Sequence, residues 1–317
     1  MTQIKRLQII LLIMALLTTP GICRAEITVA LSKSFVNKYK DKATIPTTFQ
    51  IDKHHNSPNP IGSGSDDGDI HIAGRDSVVR LPMVAEIING AKEPNSLDFL
   101  LQSTAGQKIS LTGVWRLWFE HPGSEDQIQG QEVPVPKNTN PDHIFEFHPV
   151  VTFGNFDVLN SFGPIKAEDK DAEFRGYSAE KAFDAYEKRP GTITKSKTAI
   201  MITSNKAGFN YAEFQLRLAG KPKDVGDGYL VFANVYNANA KANDDPVVEE
   251  SRRMVFVKGT APADAVKDLK KGDKLHVLGI PRVNLNLVYA IASGLQGDEE
   301  YSESLPYEMI VVAILKD

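Results

Sequence analysis

The chain has 317 residues, 42% of them hydrophobic and 24% charged, with 36 Lys plus Arg against 40 Asp plus Glu and a net charge of −4. That length can bury one large core or two smaller ones, and the acid excess argues against non-specific binding of the whole chain to nucleic acid or to an anionic membrane. The single cysteine, Cys23, excludes an intrachain disulfide.

Residues 1–25 have the order of a cleaved secretory signal peptide. Lys5 and Arg6 precede an apolar run from Leu7 to Leu17, then Pro20 and Gly21, and small residues sit at −3 and −1 of a cut after Ala25. The run is shorter than the ~20 residues a spanning helix needs, so no transmembrane segment is expected after cleavage. Bulky Ile22 before Cys23 argues against a lipid anchor there. The expected location is periplasmic or secreted. Cleavage would leave 292 residues with 33 bases, 40 acids and no cysteine. The mature chain then has no thiolate nucleophile and no cysteine metal ligand.

Past the cut, Ile27-Thr28-Val29 alternates like a strand, and His54 to Asp69 is rich in turn residues. Asp69 to Arg75 alternates again. Leu81, Val84, Ile87, Ile88 and Ala91 recur at helical spacing, which predicts a helix over 80–91. Lys108 to His121 and His143 to Phe153 read as strands separated by a Pro-containing loop. Gly163 to Arg189 is charge-dense, and Ser178 can cap a helix with an apolar face of Ala182, Phe183 and Tyr186. Strand patterns return at 199–203, 212–218, 229–236, 253–257, 274–280, 285–291 and 307–315. One helix is expected from Pro262 to Lys271, with Gly272 just past its end. Short strands separated by turns, with few helices, predict a mostly β chain (α+β) of barrels or sandwiches. The expected organisation is a signal peptide over 1–25, a first β module over 26–165, a helical connector over 166–191 and a second β module over 192–317.

The stretch from Glu250 to Arg282, ESRRMVFVKGTAPADAVKDLKKGDKLHVLGIPR, resembles the second half of the oligonucleotide-binding (OB) fold of bacterial single-stranded-DNA-binding proteins. The matching pieces are a basic strand (Arg253 to Val257), a helix (Ala263 to Leu269), the turn Lys270-Lys271-Gly272-Asp273 and a strand ending in glycine (Leu275 to Gly279). The resemblance implies a five-stranded barrel, and that family stacks bases on aromatic side chains in a basic groove. Arg253, Lys258 and Lys274, with Arg252 and Arg282, would supply such a patch. Nucleic acid is nevertheless not the favoured partner, because Lys195 to Asp317 balances 16 cations with 16 anions. The first half is similar to uncharacterised bacterial exported proteins that share TGVWRLWFEH (Thr112 to His121) and NPDHIFEFHPV (Asn140 to Val150). Lys108 to Gly113 also reads like a strand of an OB-like barrel, so two OB-like modules are expected.

Six of the seven histidines precede residue 150. Strand parity sorts them, since alternate side chains face opposite sides. Asp69 and His71 share one face. Arg116, Trp118 and Glu120 lie opposite the apolar set that includes Trp115. Glu146 and His148 lie opposite Phe145 and Phe147. If these strands are neighbours, they present one polar surface. Asp69, His71, Glu146 and His148 would then suit a divalent metal, zinc or manganese. Arg116, Trp118 and Glu120 would suit a planar or anionic ligand. The alternative is a sheet face closed by ordinary Arg–Glu pairs. Trp115 is expected inside and Trp118 at least partly outside, with His71 and His148 in reach of one another.

No G-x-S-x-G elbow, phosphate-binding loop or dinucleotide motif occurs. The adjacent acids Asp66-Asp67 and Asp244-Asp245 read as solvated loop carboxylates. The expected function is an exported binding or accessory protein for an unknown ligand or protein. The alternatives are a metal-dependent hydrolase acting in the first module and single-strand binding by the second.

Overall fold

The computed structural model describes residues 26–62, 66–166, 173–241 and 243–316. The expected signal peptide, residues 1–25, lies outside the described residues. Among the described residues the chain is mostly β with five short helices, and its strands close two five-stranded OB-like barrels. Among the described residues, no helix is long and apolar enough to cross a membrane.

The chain enters through β1 (Ile27–Ser32) and helix α1 (Lys33–Tyr39), whose first turn is capped by the Ser32 hydroxyl accepting from Phe35 N at 3.3 Å. The first barrel follows: β2 (Thr44–His54), β3 (Ile70–Asp76), β4 (Met83–Ile87), helix α2 (Pro94–Leu101), β5 (Lys108–His121), and, past the two-residue β6 (Gln127–Ile128), β7 (His143–Phe153). Strand β2 pairs with β3 and β5, β3 with β4, and β5 with β7; a parallel β4–β7 pairing closes the ring. Strand β8 (Phe156–Asp157) extends β7. Phe145, Phe147 and Phe153 fill the interior with Phe49 and Ile72. Gly113 is required there, because a Cβ would collide with the Phe147 ring.

Strand β9 (Tyr177–Ser178) and helix α3 (Ala179–Glu187) precede β10 (Pro190–Lys195) and β11 (Ala199–Ser204). Helix α3 buries Ala182, Phe183 and Tyr186, the face expected from sequence; Ser178 stands at its N-cap position without a side-chain cap bond. The second barrel contains β12 (Ala212–Leu218), β14 (Gly228–Tyr236), β15 (Arg252–Val257), helix α4 (Ala261–Val266), β16 (Lys274–Val283) and β18 (Tyr307–Ile314), with β13 (Lys223–Asp224) appended to β14. Its first strand pairs with the second and fourth, and its third with the fifth in parallel, as in the first barrel. Helix α5 (Leu285–Gly294) and β17 (Tyr301–Ser304) lie between its last two strands.

Two local expectations are corrected. Residues 80–91 are not a helix: β4 is flanked by strands on both sides and buried throughout, so helical spacing of its apolar residues carries no information. Arg80 and Asn89, with φ of 56° and 48°, break the chain on either side of it. Residues 285–291, expected as a strand, belong to α5, because the Asn284 carboxamide accepts from Asn286 N and Leu287 N at 3.1 Å and starts a helix.

The third sheet has the order β17-β10-β11-β1-β6. Strand β1 pairs along its whole length with β11, from Ile27↔Ser204 to Ser32↔Ala199. Strands from either side of the 166–191 segment thus share one sheet. The chain leaving β11 crosses the first barrel, where Ala207 N donates to Phe119 O, before entering β12.

Candidate metal centre

Strand register assembles a polar cluster on the outside of the first barrel. His71 on β3 is the cross-strand partner of Glu86 on β4, and Arg116 on β5 is the partner of Glu146 on β7. His121 and His143 are also partners, with rings stacked at 5.3 Å. Four adjacent strands therefore deliver their outward carboxylates and imidazoles to one place, as parity requires. The segment after β11 adds Asn210 and Tyr211.

Glu86 lies at the centre. Its Oε1 is 3.5 Å from His71 Nε2, and its Oε2 is 2.9 Å from His148 Nδ1. His71 Nε2 is also 2.5 Å from Asp69 Oδ2, while its Nδ1 is buried without a hydrogen-bond partner. His148 Nδ1 lies 3.6 Å from Glu146 Oε1, yet neither carboxylate lies on its hydrogen-bonding axis. His148 Nε2 meets the Tyr211 hydroxyl at 3.0 Å, and Tyr211 in turn donates to Asp67. His143 Nε2 is 3.2 Å from Glu146 Oε2, and its Nδ1 donates to Pro141 O at 2.7 Å. Asn59 Nδ2 donates to Asp69 Oδ1 at 2.7 Å.

Arg116 is fully buried and holds the other side. It donates to Glu146, to Glu120 Oε2 at 3.1 Å, to Asn210 Oδ1 at 2.7 Å and to Pro281 O at 2.9 Å. A cavity of about 340 Å³ opens beside the cluster, lined by Asp67, Asp69, His71, Glu86, Glu120 and His148, with Asn59, His121, Asn140 and Asn210 among its other walls.

The electrostatics follow from burial against charge. Burial opposes protonation of His71, but the Glu86 charge and the bond to Asp69 outweigh it and raise the pKa to about 9. His148 is raised well above its ordinary value by Glu86, Asp67 and Glu146, again against burial. Burial lifts Asp67 to about 6. Glu146 is also disfavoured by burial, but Arg116 and the two imidazoles hold it well below the carboxylate range. Glu120 is held near 2 by His121 and Arg116 against the same penalty.

Among the described residues, two sets of donor atoms could hold a metal ion: Asp69, His71 and Glu86, and Glu86, His143 and Glu146, the atoms of each set lying within 4.8 Å of one another. The four residues singled out from sequence, Asp69, His71, Glu146 and His148, all lie in this cluster. Sequence reasoning missed Glu86, because 80–91 was read as a helix; in a strand, alternation places it on the His71 face. It assigned Asp67 to solvent, yet Asp67 is buried. Asn210 and Tyr211 carry no local signal.

The expected ligand surface of Arg116, Trp118 and Glu120 is not an open face. Trp115 is buried, its Nε1 donating to Lys42 O at 2.7 Å, but Trp118 is buried as well, at 2% exposure. The reason is a covering layer: α3 sets the Tyr186 ring edge-on against Trp118 at 5.7 Å, and Asn210 and Pro281 close over Arg116. Only the Glu120 end reaches the cavity. Arg253 is likewise withdrawn from any surface patch, buried against Glu308 and 2.9 Å from Asp41. Lys258 is exposed and ion-paired with Asp224 at 3.0 Å, and Lys274 is exposed beside Arg217 across the β12–β16 pair.

No protein-family model matches this chain, and no curated protein matches it.

Proposed function

We propose that this is an exported metal-binding accessory protein whose first barrel holds a divalent transition-metal ion on Asp69, His71 and Glu86, with His148 adjoining. The observation that carries the reading is the Glu86 carboxylate set between two imidazole nitrogens, at 3.5 and 2.9 Å, in a buried cluster beside a cavity. Donors that share a metal through bonds of about 2.0–2.2 Å stand roughly 3 Å apart, which is the spacing of these atoms. Charge supports the same conclusion. Asp67, Asp69, Glu86, Glu120 and Glu146 share one permanent cation, Arg116. Such an excess in a buried place needs either protonated imidazoles or a cation. Imidazole with carboxylate selects zinc or manganese over the all-oxygen environment that calcium prefers. Export rests on the basic-then-apolar order of residues 5–17 and the small residues before Glu26.

Elemental analysis of the purified mature protein tests the reading. Stoichiometric zinc or manganese, lost in Glu86→Gln, is the expected result. Metal-free protein that takes up neither ion on titration would overturn it.

A second reading, metal-dependent hydrolysis, is favoured by the cavity itself, since about 340 Å³ beside the cluster leaves room for a small substrate. A bound ion would supply an activated water. Turnover of phosphoester or ester substrates that requires the metal would support it. Single-strand binding by the second barrel draws on the strand–helix–strand resemblance alone, because Arg253 is committed to Glu308 and Asp41.

A further inference from the structure

We infer that the cluster is built for two cations bridged by the Glu86 carboxylate, the second held by Glu86, Glu146, His143 and His148 behind the first. The inference rests on the metal reading above and deepens it.

His143 is the key residue. Its Nδ1 proton is committed to Pro141 O at 2.7 Å, an arrangement that fixes the tautomer of a metal-ligating histidine. Its Nε2 stands 3.2 Å from Glu146 Oε2, where, against burial, the carboxylate favours a second proton on the ring. A metal ion would take the place of that proton, and the donor atoms of Glu86, His143 and Glu146, all within 4.8 Å of one another, are placed to hold it. The second observation is independent. His148 is also fully buried, and its Nδ1 stands 2.9 Å from Glu86 and 3.6 Å from Glu146 without an aligned hydrogen bond to either. Both imidazole nitrogens thus converge on the space between two carboxylates. Arg116 occupies Glu146 Oε1 and leaves Oε2 to the ion.

The two positions share Glu86 because the strand order β3-β4-β7 sets it between them. His71 pairs across from Glu86 on one side, and Val84, two residues away on the same face, pairs with Glu146 on the other. The cavity reaches Glu86 and His148 but its wall does not include His143 or Glu146, so the inner ion enters past the outer position. Carboxylate-bridged ions about 3.5–4 Å apart are the arrangement that polarises a shared ligand from both sides.

The test is titration of the full mature protein, stripped with a chelator, using Zn²⁺ followed by calorimetry and elemental analysis. Two ions per chain are expected for the wild type and one for His143→Gln, which keeps a polar side chain near Glu146. Mn²⁺-loaded wild type needs no variant: its electron paramagnetic resonance spectrum should show the broadening of two coupled ions. One ion per chain, with His143→Gln indistinguishable from wild type and an isolated-ion Mn²⁺ spectrum, would overturn the inner position and leave the outer one standing. Absence of uptake in every protein would overturn both.

Discussion

Two buried charge clusters hold the barrels together, and they are built on different chemistry. In the second barrel, Glu308 accepts from Arg282 at 2.7 Å and from Arg253, and Arg253 continues to Asp41 at 2.9 Å and Lys40 O at 2.7 Å. Arg282 also stacks on Trp115 at 3.4 Å and donates to the carbonyls of Lys42, Ala43 and Trp115. Two permanent cations face two carboxylates, and the spare guanidinium donors are used on backbone carbonyls. That cluster is closed and joins the barrels. In the first barrel one permanent cation faces five carboxylates, and the balance falls to imidazoles whose charge depends on pH or on an ion. A fixed, balanced cluster reads as architecture. An acid-rich cluster completed by histidines and opening on a cavity reads as a site.

The largest expected effect breaks the architectural cluster. Arg282→Met leaves Glu308 buried with half its partners and unstitches three carbonyls, so it should cost about 3–5 kcal/mol. Urea unfolding should show this loss equally at pH 6 and pH 8, because burial lowers the Arg282 pKa only to about 10. A small loss, or one that varies with pH, would erase the contrast between the clusters.

Next comes Glu86→Gln. Removing the shared carboxylate should weaken zinc binding by about a hundredfold or more, the scale seen when even supporting groups of metal sites are changed. Its barrel should remain folded by circular dichroism. Calorimetry giving wild-type affinity would place the ion elsewhere.

A third, smaller effect concerns pH. His71 rises from its ordinary 6.5 to about 9 in the folded chain, facing Asp69, Glu86 and, further off, Glu146, with the His55 ring stacked on it at 4.6 Å. The folded state therefore binds this proton more tightly than the unfolded one. The resulting stability is complete below about pH 6.5 and is lost as pH climbs through 9. Chelator-treated protein should show falling urea midpoints across that window, zinc should reverse the fall, and His71→Gln should flatten it. A flat wild-type profile would mean that the charge excess is neutralised another way.

The smallest effect is expected at the surface of the second barrel. Changing Lys258 and Lys274 together to Ala should leave the unfolding midpoint and the zinc affinity unchanged, since both side chains are exposed. Single-stranded DNA should not bind the wild type at moderate salt. Sub-micromolar affinity that weakens steeply with salt and drops in the double variant would instead make these lysines part of a binding surface.

Much of this architecture was legible in the residues. Alternation in 69–75, 109–121 and 143–148 placed Asp69, His71, Arg116, Glu120, Glu146 and His148 on one side of their strands, and that side is shared. The helix between the third and fourth strands of the second barrel was marked by Pro262 in its first turn, but it ends at Val266 and not at the expected Lys271, so Gly272 belongs to the turn before β16. Glu86 was lost to a spacing argument that holds only for a helix with one wet side; MVAEI is buried throughout. Trp118 was misplaced for a related reason. Parity states that it faces away from Trp115, and says nothing of what stands there.

By itself, then, the sequence determined which side chains share a strand face, because the period of two is local and steric. It also marked the start of α4, because a proline in the first turn is a local signal, but not that of α5, whose Asn284 cap precedes a run that reads equally as a strand. Only the tertiary structure decided that the outer face of the first barrel is covered rather than wet, and that Asn210 and Tyr211 complete the cluster, bonding Arg116 and His148 from 94 and 63 residues away. Burial of a strand's outer face depends on which distant segment packs over it, and that is settled by long-range pairings such as β1 with β11, which have no counterpart in local spacing.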